Sequence, residues 1–224
     1  MSWPCYWLES TGTAALGLRR YAYAGGSGSA IHDCAAGNHE AFAWRGLTVP
    51  ERFETRGDGT RLHTVPDPVD RDDQAWPRAC GRCGHPFAGT DRWQERAETL
   101  YRRADGTLVM LHTGLPGPPG APQPAHAAGP GAMWDGWWLP EDWRGPDGIG
   151  LIVRCPDPAQ PARAFPHDWT VDAVATGGGR WTRTGDPRDP ATLTVSPSIA
   201  IGHPGSDGYY HGFLQGGALT GHLG

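Results

Sequence analysis

Lysine is absent from this 224-residue chain and asparagine occurs once, at Asn38; all 19 basic side chains are arginine. No side chain therefore offers an amine to amine-directed modification, ubiquitin-like conjugation included, although a GC-rich coding bias is the simpler origin of the same preference. There is no basic run either, and the formal charge is -5, which excludes the electrostatic footprint of a nucleic-acid binder. No apolar run approaches the roughly 20 residues of a membrane-spanning helix, and a signal peptide ahead of the cysteines is not expected. Those cysteines number five, an odd count, so a secreted disulfide framework is not expected.

Glycine (34) and proline (22) make up a quarter of the chain, yet 11 tryptophans and 38% hydrophobic residues supply core material that a disordered chain lacks. The composition predicts a folded, loop-rich, mainly β protein (α+β), long enough for one large or two small domains.

The most informative stretch is Cys80-Gly-Arg-Cys83, set between Pro77 and Pro86. Two thiols two residues apart at a glycine-softened turn grip one metal ion, and a tetrahedral structural zinc wants four Cys or His ligands. Cys34 and His39 form the other close pair, giving Cys34, His39, Cys80 and Cys83 as the expected Zn2+ ligands with His85 in reserve. A redox pair is the alternative for C-x-x-C, but that motif opens a helix in a βαβ unit, and no parallel-sheet pattern surrounds it here. Cys5 and Cys155 are isolated and read as small apolar residues.

Along the chain, Trp3 to Leu8 and Thr11 to Ala24 suit two strands joined at Ser10-Thr-Gly12, and Ala41 to Val49 a third ended by Pro50. Arg56 to Asp73 reads as loop. Trp93, Ala97, Leu100 and Tyr101 recur at i, i+4, i+7 and i+8, which predicts a short helix after Thr90 and Asp91. Ala104-Asp-Gly-Thr107 is a hairpin turn leading into Leu108 to His112. The interval Gly114 to Gly131 is mostly Pro, Gly and Ala, the composition of a semi-rigid linker. The expected organisation is a small zinc-stabilised N-terminal region (1–113), a linker (114–131) and an all-β C-terminal domain (132–224) without a shared core.

In the second region Trp134, Trp137, Trp138 and Trp143 are expected to fill a β core rather than line a recognition surface. Strands are expected at Ile149 to Cys155, Trp169 to Ala175, Trp181 to Thr184 and Thr192 to Ile201, with a closing hairpin around Gln215-Gly-Gly217. Ser198, held by the fixed φ of Pro197, and His211, beside Gly212, are the parts of a nucleophile–base pair, as well as residue types that satisfy one another structurally.

These motifs resemble a family of uncharacterised actinobacteriophage proteins. The likeness runs through Cys34 and His39, Cys80 and Cys83, Tyr101 to Asp105, Gly145 to Gly148, Trp169 to Asp172, Ser198 and Ile199, and Tyr210 to Leu214. The C-terminal part is also similar to a domain family of unknown function found beside bacterial ubiquitination-like operons. That resemblance implies a peptidase-type role in which Ser198 and His211 act together and Asp172 orients the imidazole. The chain departs from the phage pattern between Asp172 and Trp181, where an expected Cys-bearing insertion is reduced to Ala173-Val-Ala-Thr-Gly-Gly-Gly179.

Two functions follow as expectations. In the first, Ser198 attacks an amide or ester, His211 takes its proton, Asp172 holds the imidazole, and amides of Gly202 to Gly208 serve the oxyanion. In the second, the protein is a non-catalytic structural or interaction component of a phage, in which Ser198 and His211 only satisfy each other. Zinc is structural in both; a metallohydrolase would need an open coordination position that cysteine-rich ligation disfavours. The expected partner is a protein or a peptide substrate, not nucleic acid or membrane, and the expected location is the host cytoplasm or the virion.

Overall fold

The computed structural model describes residues 1–23, 34–64, 76–111, 128–156, 168–173, 181–202, 204–205 and 209–223. The strands are β1 (Ser2–Pro4), β2 (Tyr6–Trp7), β3 (Glu9–Ala22), β4 (His39–Pro50), β5 (Phe53–Thr55), β6 (Arg61–His63), β7 (Arg92–Arg102), β8 (Leu108–Met110), β9 (Ala132–Asp135), β10 (Leu151–Arg154), β11 (Asp168–Thr170), β12 (Thr182–Thr184), β13 (Thr194–Ile201), β14 (Tyr210–Gln215) and β15 (Ala218–Leu223). The protein is mainly β. Among the described residues, helical structure is confined to the 3-10 turns Glu141–Trp143 and Pro190–Thr192.

Among the described residues, three sheets stack around two larger cores, with smaller clusters beside them. The first has the order β4-β3-β7-β8, the second β11-β10-β9-β2 and the third β1-β15-β14-β13-β12, with β5-β6 as a separate ribbon. The second sheet is the middle layer, because its residues alternate between the cores. Met133, Leu151 and Val153 face Val195, Ile199, Tyr210 and Leu214 of the third sheet. Trp134 and Ile152 pack in the other direction, with Leu8, Tyr101 and Val109. A strand buried on both faces reads as a continuous apolar run, which is why Leu-Ile-Val at 151–153 shows no alternation.

The second cluster overturns the expectation of separate cores. Leu8, Tyr101, Val109 and Leu111 come from before the Pro/Gly-rich interval, and Ala132, Trp134, Leu139 and Ile152 from after it. Backbone pairing crosses the same line. β1 pairs antiparallel with β15 (Trp3 opposite Leu219), and β2 pairs parallel with β9 (Trp7 opposite Met133). Residues 112–127, which hold most of the expected linker, lie outside the described residues.

The expected helix after Asp91 is a strand. β7 pairs along its length with β3 and at its end with β8. Its apolar spacing misled because the end of β7 is buried on both sides: Leu100 packs with Ala15, Trp44 and Met110, and Tyr101 with Trp134. Trp93, which began the supposed stripe, is 38% exposed. The turn expected at Ser10 to Gly12 lies inside β3, where the register shifts between Ser10 and Ala14 and Gly12 takes a φ of 67°. β6 stands within the segment expected as loop. The Asp-Gly hairpin forms as expected, with the Arg103 amide donating to the Thr107 carbonyl at 3.0 Å. Of the tryptophans expected in the core, Trp134 is fully buried, whereas Trp137, Trp138 and Trp143 are half-buried.

Candidate metal centre and the Ser198–His211 pair

The candidate metal ligands are delivered by two turns that need glycine. Cys34 opens a turn closed by the Gly37 amide donating to the Cys34 carbonyl at 3.2 Å, and Gly37 has a φ of 79° that L side chains rarely adopt. The turn feeds into His39, the first residue of β4. The second pair sits on a knuckle pinned by the Ala79–Pro86 bridge. Within it the Cys80 amide donates to the His85 carbonyl at 2.8 Å and the Gly84 amide to the Cys80 carbonyl at 3.0 Å, with Gly84 at a φ of 72°. The Gly81 amide donates to the Glu40 carbonyl at 3.1 Å, docking the knuckle on β4 beside His39.

The result is a Cys3His cluster. The ligand atoms of Cys34, His39, Cys80 and Cys83 all lie within 4.8 Å of one another and could hold a metal ion. The Cys34 and Cys80 sulfurs are 3.8 Å apart, and Cys83 Sγ is 3.4 Å from His39 Nδ1. His85 is not in the cluster; its ring stacks on that of His39, with centroids 4.0 Å apart and planes within 10°. Desolvation, and then its contacts with the Cys83 and Cys80 thiols, push the Cys34 thiol up to about 11. Crowded thiols oppose one another's ionisation, and a bound cation reverses that, since it takes them as thiolates. Four protein ligands also leave a tetrahedral ion no open position, the arrangement of a structural rather than a catalytic site. A cavity of about 440 Å³ beside the cluster is lined by Tyr21, Tyr23, His39, His85 and Arg92.

Ser198 and His211 meet on the third sheet. Ser198 Oγ and His211 Nε2 share a hydrogen bond of 2.9 Å. His211 stands opposite Ala200 on β13, and Ala200 is exposed, so the pair occupies the outer face of the sheet. The register shift between Val195 and Ile199, where the Ser196–Pro197 bond is cis, brings Ser198 beside His211. Trp181 Nε1 donates to the Ser198 carbonyl at 3.1 Å, tying this bulge to the start of β12.

Asp172 does not join them. Its Oδ1 and Oδ2 accept from Arg183 Nε at 2.9 and 3.1 Å, and Oδ2 also accepts from the Leu151 amide at 2.9 Å. Arg183 lies opposite Val195, which is fully buried, and cross-strand partners share a face. Asp172 therefore belongs to the core side of the sheet, and His211 to the outer side. The physical reason is that a buried carboxylate goes to the nearest buried guanidinium, and the Arg183 side chain is only 4% exposed. Of the expected oxyanion loop, Gly202 and Gly205 have positive φ, while 203 and 206–208 lie outside the described residues.

Sequence reasoning missed a polar cluster beneath the ribbon. Glu51 Oε1 accepts from the Thr99 hydroxyl and lies 3.1 Å from His63 Nε2, while His63 Nδ1 is 2.9 Å from the Ala97 carbonyl. The His63 ring stacks on Phe53 and also touches Trp137. No short motif signals it, because its members come from four separate stretches of chain.

No family model matches the chain, and neither a curated protein nor a solved structure does.

Proposed function

We propose that Cys34, His39, Cys80 and Cys83 hold a structural Zn2+ ion, and that the protein is a zinc-stabilised β scaffold that works by binding a protein partner. The observation that carries the proposal is the convergence of three thiols and one imidazole from two turns to within 4.8 Å. Borderline-soft zinc suits that donor set, whereas magnesium and calcium take oxygen ligands. The phage family whose motifs the chain resembles supplies the setting, a non-catalytic interaction component, virion-associated in its simplest form. Binding outranks catalysis because Asp172 is committed to Arg183 and Leu151. In Ser/His/Asp hydrolases, losing the carboxylate's control of the tautomer costs about 10⁴-fold in kcat. The test combines elemental analysis of protein prepared without chelator with exposure to a Ser-directed phosphonate. About one zinc per chain and no labelling are expected; absence of metal sinks the zinc assignment, and labelling at Ser198 sinks the non-catalytic one.

A second reading rests on the 2.9 Å Ser198–His211 contact. Here Ser198 attacks an amide or ester carbonyl, and His211 takes its proton and returns it to the leaving group. In this reading Ser198→Ala abolishes turnover and labelling while leaving the fold intact, since only a half-buried hydroxyl is removed.

A further inference from the structure

His211 and His222 stand directly opposite one another on β14 and β15. Their ring centroids are 5.8 Å apart, with planes at 84°. Directly paired residues on antiparallel strands have Cα atoms about 4.5–5.5 Å apart, so two imidazoles projecting from one face can each turn a nitrogen onto a common ion. The strands are held close at this point. A Cβ on Gly212 would lie 2.0 Å from the Thr220 carbonyl oxygen, and one on Gly221 would lie 2.3 Å from that of His211. Glycine at both positions lets the backbones approach, which fixes the pair's spacing.

We infer that His211 and His222 form a second metal site, open rather than closed, for a borderline divalent cation bound through imidazole nitrogen. The Ser198 hydroxyl meets His211 Nε2 at 2.9 Å; an ion taken by that nitrogen would displace this hydrogen bond and leave the hydroxyl close enough to act as an oxygen donor to the ion or to its water. The Tyr209 ring lies 6.4 Å from both histidine rings and walls one side. Two imidazoles and oxygen donors suit Cu2+ best, ahead of Ni2+ and Zn2+, as the general order of affinities for such sites places it. The site differs in kind from the Cys3His centre, because two protein nitrogens leave coordination positions for water or for a donor from a partner. His222 is exposed, so the ion has access and substitution there leaves packing undisturbed.

The experiment adds Cu2+, up to one equivalent, to the intact metal-loaded chain and follows the electron paramagnetic resonance spectrum together with zinc release. Expected are hyperfine couplings from two imidazole nitrogens, no loss of zinc, and affinity weakened about tenfold or more in His222→Ala. Ser198→Ala should keep both nitrogen couplings. The proposal is overturned if only one imidazole couples, if His222→Ala binds Cu2+ as the wild type does, or if uptake is matched by zinc release.

Discussion

The Trp137 indole N–H donates to the Thr99 hydroxyl at 2.8 Å, joining the Trp-rich stretch to a strand that precedes the Pro/Gly-rich interval. Thr99 in turn donates to Glu51, so one hydroxyl accepts from the half-buried indole and donates to a carboxylate. Thr99→Val keeps the shape and removes both bonds. Glu51 Oε1 keeps His63, but the Trp137 indole N–H loses its acceptor, and an unsatisfied buried donor costs about 1–3 kcal/mol, which a lowered urea midpoint would report. An unchanged midpoint would mean that water replaces the hydroxyl.

At Gly131 the backbone itself is the obstacle to substitution. Its φ is 90°, and a Cβ there would lie 2.2 Å from the Pro4 carbonyl oxygen. Gly131→Ala should cost more than the roughly 1–2 kcal/mol of the left-handed conformation alone, because the adjoining Tyr6-to-Gly131 hydrogen bond must also shift. Hydrogen exchange should then rise at Tyr6 and Leu8 before it rises in β14. Equal protection at all three would refute this account.

The acid limb of stability should carry the signature of Asp147. Partial burial raises its affinity for a proton, but Arg183 and the Ile149 amide outweigh that and hold its carboxyl below the ordinary 3.8. A carboxyl with a depressed native pKa stabilises fully above the unfolded value and loses that contribution as pH falls through the native one. The stability gap between wild type and Asp147→Asn should therefore be constant near neutrality and close below about pH 4. A gap independent of pH down to 2 would show that the charge contributes nothing.

Loss of metal should act locally first. Cys83 is exposed, so Cys83→Ala removes a ligand without opening a cavity. Because ligation energy is folding energy at such sites, zinc content should fall well below one per chain and exchange should rise around the Gly81–Glu40 contact. β13 to β15 should remain protected. Full zinc retention in this variant would return His85 to consideration as a ligand.

The Cys3His cluster was legible because C-x-x-C and C-x4-H are local patterns whose chemistry survives ignorance of the fold. The closing hairpin was equally local, marked by Gly216 and Gly217, both at positive φ. What sequence could not give was long-range. Nothing at Asp172 announces that Arg183 and not His211 will claim it, since the choice depends on which face of β12 meets the core. The same holds for β7, where burial on two sides imitated a helical stripe, and for the middle sheet, whose partners come from opposite ends of the chain.

Among the described residues, strand β1 pairs only with residues 218–220. At about 5–20 residues per second, a ribosome needs roughly 10–40 s to travel between them. For that time Trp3 has no sheet to join, and its final ring contact with Tyr210 does not yet exist. The molecule closes as a clasp rather than growing outward from its beginning, and its nascent chain should be a chaperone client until the clasp is shut.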